Sequence, residues 1–220
     1  MTNTNLFKAS PESKSKAKKY RGIAIIAWFL AMTGQVVTIL KLLHKDQLTW
    51  LLVAIGLILA LAITGSILWK KANRLDPASK KDKIKFFIQN PLGAILGVLA
   101  FLPLVIFIFT NKKMDKKSKG IAGTVAIIAL LIAGATGIDF NPPSIEQYTQ
   151  EINEQTSTLK TINNNSDAVF WTKAGNKYRI NEECQHIKGR ESISNGSVKE
   201  SWEQKGISEL CKTCEKRARK

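Results

Sequence analysis

Apolar residues crowd into four stretches of the chain, at 22–40, 48–69, 92–110 and 120–138, and none of them contains Asp, Glu, Lys, Arg or His. A helix rises about 1.5 Å per residue, so about 20 mainly apolar residues cross a hydrocarbon core about 30 Å thick. Each stretch therefore reads as a membrane-spanning helix. Pro103 lies inside the third, where it removes a backbone donor and predicts a break. That segment then either kinks and crosses or folds back as a re-entrant hairpin. Trp50 and Trp69 mark the two ends of the second stretch, the level at which amphipathic rings meet lipid headgroups. Ahead of the first stretch the charged leader is long, and no small-x-small cleavage signal follows, so the segment reads as a retained anchor.

After Pro142 and Pro143 the pattern changes. Ile145, Tyr148, Ile152, Leu159 and Ile162 follow three-and-four spacing, interrupted by Gln155, which predicts a helix that "NNNSD" (163–167) ends with turn formers. Its mostly polar surface suggests a solvated stalk. "AVFWTKAGNKYRI" (168–180) reads as two short strands around a turn at Ala174, Gly175 and Asn176. Ser197 and Glu200 form a capping-box signature for a short helix that Gly206 terminates, with Trp202 facing inward. The predicted architecture is thus an all-α membrane helical bundle of four hydrophobic segments followed by a small α+β, zinc-ribbon-like module. Its divisions are a basic leader (1–21), the membrane part (22–138), a linker or stalk (139–167) and the module (168–220).

The charge is as unevenly spread as the hydropathy. Residues 1–138 carry 20 Lys/Arg against 5 Asp/Glu, and residues 139–220 carry 13 against 12, so nearly all of the net +16 belongs to the leader and membrane part together. There it sits in short runs flanking the apolar stretches, at 14–21, 70–85 and 112–119. Such runs serve topology and anionic headgroups, and they make a nucleic-acid footprint the weaker reading. The leader and the 70–85 loop place the amino terminus in the cytoplasm. Four crossings would return the tail to the cytoplasm but export the lysines of 112–119. The absence of Lys and Arg from 139–159 slightly favours an extracytoplasmic module instead. Gln35, with Thr33 and Thr38, is the polar cluster of the first span, suited to a hydrogen bond between helices. Small residues four apart (Gly56 and Ala60; Gly93 and Gly97; Ala129, Ala133 and Gly137) suit close helix packing or a homo-oligomer.

Three cysteines occur, and all lie in the tail: Cys184, then Cys211 and Cys214 in "ELCKTC". Structural zinc takes four N or S ligands in a tetrahedron, and a C-x2-C pair grips one edge of it. Cys184 is the natural third ligand and His186 is the tail's one imidazole, so Cys184, His186, Cys211 and Cys214 form the candidate zinc set. A unit of this size buries little apolar surface, and a bound metal can decide whether it folds. A disulfide or redox pair of Cys211 with Cys214 stays open as the alternative.

"FWTKAGNKYRINEEC", then "GSVKESWEQKG", then "CKTC" resembles the small metal-binding module of bacterial Ada-type DNA methylphosphotriester repair proteins, which in variant form ends uncharacterised bacterial membrane and exported proteins. The membrane part is similar to hypothetical multi-pass proteins of Gram-positive bacteria. The resemblance implies a four-ligand zinc site in which Cys184, Cys211 and Cys214 fall on ligand positions. Its first ligand position falls on Arg179, which stays protonated and cannot bind zinc. His186 is the substitute, and the nucleophilic cysteine needed for methyl transfer is missing. The function expected is a non-enzymatic multi-pass membrane protein displaying a zinc-stabilised module that binds or senses a protein or ligand. A membrane thiol oxidoreductase using Cys211 and Cys214 is the second reading, and a small transporter the third.

Overall fold

Charge in the leader does not delay helix formation. In the computed structural model, which describes residues 6–218, α1 (Pro11–Lys41) begins eleven positions before the first apolar stretch. The Ser10 hydroxyl accepts from the Ser13 N–H at 3.1 Å and Pro11 fills the first helical position, where a missing N–H costs nothing. The remaining elements are α2 (Leu48–Leu75), α3 (Lys83–Gln89), α4 (Leu92–Leu99), α5 (Leu102–Thr110), α6 (Lys116–Gly137), α7 (Ile145–Ile162), β1 (Ala168–Thr172), β2 (Lys177–Tyr178), β3 (Ile193–Ser197), α8 (Val198–Lys205), β4 (Glu209–Leu210) and α9 (Lys212–Ala218). They form two compact units, residues 17–73 with 83–142, and residues 1–16 with 74–82 and 143–220.

The first unit holds four helical segments long and apolar enough to cross a membrane. Its core is built from Leu51, Ile55, Phe101, Leu104 and Ile108. Large apolar side chains such as Phe29, Leu40, Leu57 and Leu131 point outward and are more than 60% exposed. Outward apolar surface of that extent is compatible with insertion into a bilayer. Trp50 is exposed, whereas Trp69 is not at a headgroup level facing outward. It is buried against Trp28, and its indole N–H donates to the Gln89 carbonyl at 2.7 Å.

The third apolar stretch breaks at Ala100–Phe101, and Pro103 sits in the first turn of α5 rather than mid-helix. The break does not make a hairpin. Gly93 lies against Gly137, Gly97 against Ala133, and Phe109 against Gly123, so α4 and α5 follow one another antiparallel along the whole of α6. Gln35 of α1 stitches the break: with its amide turned so that both ends find partners, the side-chain N donates to the Leu99 carbonyl at 3.2 Å and the O accepts from the Leu104 N–H at 3.3 Å. Backbone groups freed by a helix break in an apolar setting need such a partner.

In the second unit, α7 is no free stalk. Its N-terminus is capped by Ser144, and Ile152 and Leu159 are buried with Val169, Trp171, Tyr178 and Trp202. Gln155, the apparent interruption of the apolar stripe, is a hub. Its Oε1 accepts from Tyr178 Oη (3.0 Å) and Trp202 Nε1 (3.1 Å), and its Nε2 donates to the Ser208 carbonyl (2.8 Å). Gln155→Leu strands two buried donors and a carbonyl at once, so a loss of about 2–4 kcal/mol is expected in chemical denaturation followed by Trp fluorescence.

Two further segments complete this unit. Phe7 meets the Tyr148 ring edge-on at 5.1 Å, its N–H donates to Thr149 Oγ1 (2.9 Å), and the Ser10 N–H donates to the Glu203 carbonyl (3.1 Å). From the 74–82 loop, the Ala78 carbonyl accepts from the Ile145 N–H (3.2 Å), while Glu146 accepts from the Ser79 hydroxyl and the Lys80 N–H. Burial opposes the charge on Glu146, but the Ser79 hydroxyl and neighbouring N–H groups outweigh it and hold its pKa below the ordinary 4.5. A depressed acid stabilises the fold above its unfolded value and loses that contribution as pH falls through the folded one. Protection of the Lys80 and Lys81 amides, taken relative to intrinsic exchange at each pH, is therefore expected to fall as pH drops below the ordinary 4.5 in the wild type and to lack that pH dependence in Glu146→Gln.

The strands differ from a simple hairpin. Phe170 and Arg179 exchange two backbone hydrogen bonds of 2.8 Å across the 172–177 turn, but β1 pairs antiparallel with β3 and β2 pairs parallel with β4. The capping box of Ser197 and Glu200 is formed, and Gly206 terminates α8 at φ +64°, a left-handed position that favours glycine.

Candidate metal centre

The parallel β2–β4 pair delivers the C-x2-C motif. Leu210 lies beside Tyr178, and the Cys211 N–H then donates to the Tyr178 carbonyl at 2.9 Å, which fixes Cys211 at the strand end. One residue later α9 begins and carries Cys214 on its first turn. Cys184 arrives from the other direction. The Asn181 side chain accepts from the Glu183 N–H (2.7 Å), and the turn closes with Ile187 and Lys188 N–H groups donating to the Cys184 carbonyl (both 2.8 Å). The three sulfurs lie within 4.8 Å of one another. Ile180, Ile187, Phe170 and Leu210 surround them, and the cysteines are 2, 5 and 7% exposed in chain order.

Electrostatics at the cluster favour a cation. Burial opposes ionisation of Cys211, yet backbone N–H groups of Cys214 and Thr213, with thiol hydrogen bonds from Cys184 and Cys214, hold its pKa below the ordinary 9.0. Cys214 goes the other way. Burial and its neighbours Cys184 and Cys211 push it up to about 12, although the Ile180 N–H favours its thiolate. Ionisation of Cys211 is eased, whereas negative charge on Cys214 meets burial and its neighbours. A divalent cation inverts that balance, since coordinating thiols lose their protons outright. Three converging sulfurs with N–H donors already aimed at them thus fit a thiophilic metal such as zinc.

His186 is not among the converging donors. It is exposed, with Nε2 3.3 Å from Thr213 Oγ1. Arg179, at the first ligand position of the resembled module, is 8% exposed and its guanidinium donates to the Lys177 carbonyl within the 172–177 turn. The Ile180 N–H donor and the Asn181 turn were not anticipated from sequence, although Asn three residues before Cys184 is an Asx-turn signal. A cavity of about 260 Å³ opens beside the cluster, lined by Ile180, Asn181, Glu183, Cys184, Cys214 and Arg217 among others.

No family model, no curated protein and no solved structure matches this chain. The functional reading rests on the site itself.

Proposed function

We propose that this chain is a multi-pass membrane protein carrying a zinc-stabilised binding or sensing module on the cytoplasmic side. The observation that carries the metal is the buried three-cysteine cluster, whose sulfurs all lie within 4.8 Å of one another. Bound zinc would be held by Cys184, Cys211 and Cys214 and would supply cross-linking of the 184–188 turn to the β4–α9 end. Its role is structural: thiol–disulfide exchange calls for an accessible attacking sulfur, and each of these is more than nine-tenths buried. The Ada-type likeness supports the same donor identities at Cys184, Cys211 and Cys214.

The composition of the second unit supports that side of the membrane. Residues of the leader, the 74–82 loop and the tail belong to one compact unit, and a compact unit occupies one side of a bilayer. The leader and the 70–85 loop carry the heavier basic load of the short loops, which favours the cytoplasm for all three. This supports four complete crossings and runs against the slight outward preference read from residues 139–159. Reducing surroundings keep thiols available to a metal.

Metal analysis of the protein purified in detergent without added zinc tests the first part, with about one zinc per chain expected and little left in Cys211→Ser. Labelling of single introduced cysteines at position 166 by an impermeant reagent tests the second. Reaction expected only after cell lysis supports the cytoplasmic side, and reaction on intact cells refutes it.

A further inference from the structure

We infer that the metal at this cluster takes its fourth ligand from solution, as the thiolate of a small carboxylate-bearing thiol seated in the cavity beside Cys184 and Cys214. The inference rests on the metal reading above and goes beyond it. Tetrahedral zinc wants four donors, and among the described residues only three Cys sulfurs converge. The imidazole expected to complete the set is exposed and hydrogen-bonded to Thr213, and the side chain at the resembled module's first ligand position, Arg179, is tied into a turn.

The cavity borders two of the three sulfurs and has a volume of about 260 Å³. That is just below the range of about 300–1,000 Å³ that holds drug-sized molecules, so an amino-acid-sized ligand suits it. Its lining sorts by chemistry. Ile180 and Ala218 offer apolar walls, and the Asn181 side-chain oxygen is engaged by the Glu183 N–H. Glu183 is paired with Lys188 at 2.6 Å. Arg217 is the cationic residue of the lining, and the planar fork of N–H donors of its guanidinium matches a carboxylate. Sulfur at the metal and carboxylate at Arg217 specify a molecule with both groups a few bonds apart. On binding, the thiol gives its proton to solvent and its sulfur donates an electron pair to the metal, with no change of oxidation state. Soft thiolate donors are preferred by zinc over the competing carboxylates of the cell.

X-ray absorption at the zinc edge of the full-length, zinc-loaded protein in detergent micelles tests this, with L-cysteine as the probe and alanine and S-methylcysteine as controls. Expected is a shell of three sulfurs and one lighter atom that becomes four sulfurs with L-cysteine and does not change with either control. Arg217→Ala should raise the half-saturating L-cysteine concentration roughly fivefold or more without altering zinc content. A light-atom ligand that L-cysteine does not displace overturns the inference and leaves the metal reading standing, and its loss in His186→Ala would assign it to that imidazole. Four sulfurs seen before any thiol is added, in protein dialysed free of small thiols, also overturns it. Failure of the purified chain to hold zinc overturns both.

Discussion

Cys184→Ser is expected to strip the metal from the purified protein and to expose the amides of 181–192 and of α9 to fast exchange, while α7 and α8 stay protected. A structural zinc contributes about 10–16 kcal/mol of apparent binding energy in small zinc-dependent folds, as much as the whole net stability of an ordinary domain, about 5–15 kcal/mol. Losing one of three sulfurs removes the larger part of it. The effect is local because the apolar support is divided. Cys184, Ile187, Cys211 and Cys214 form their own small cluster, whereas Trp171, Tyr178 and Trp202 pack with α7 in another. Mass-spectrometric metal content and exchange mapping check this prediction together. Unchanged zinc in the variant would refute the assignment of Cys184 as a ligand.

The second large effect is expected in the membrane part. A side chain at Gly97 would place its Cβ 2.8 Å from the Ala133 carbonyl oxygen and 3.0 Å from that carbonyl carbon. Both are backbone atoms of a neighbouring helix, so nothing flexible can yield. Gly97→Leu must therefore part α4 from α6, at a cost at or above the usual 1–3 kcal/mol of overpacking. Unfolding in mixed micelles, followed by helical circular dichroism, should show the loss. Gly56→Leu is the control, because open space surrounds that position, and it should change little.

Gly56 and Gly97 mark how much of the packing is legible in the sequence. Both belong to small-residue pairs of identical spacing, but only the second faces a helix. Spacing names the faces that permit close approach and is silent on which are used. The four spans, the α7 helix and the Ser197–Glu200 box were legible because each is a local pattern. Gln155 was not, since a polar residue in an apolar stripe is explained only by the partners it meets, and these lie up to 53 residues away. The same holds at the metal centre. The type and count of sulfurs announced themselves, but His186 was grouped with them on chemistry alone, and the turn it occupies faces its ring toward Thr213 instead. Arg179 has no ligand chemistry to offer zinc, and its guanidinium instead donates to the Lys177 carbonyl in the turn.

Phe7 and Tyr148 stand 141 positions apart in the chain and touch only when the segment between them has been made and threaded. The leader's seat also includes the Glu203 carbonyl, so it is whole only when segments far apart in the chain have met. Were the leader and the tail held on opposite sides of a bilayer, this clasp could not close, so any arrangement of the four helices that forms it keeps the two together.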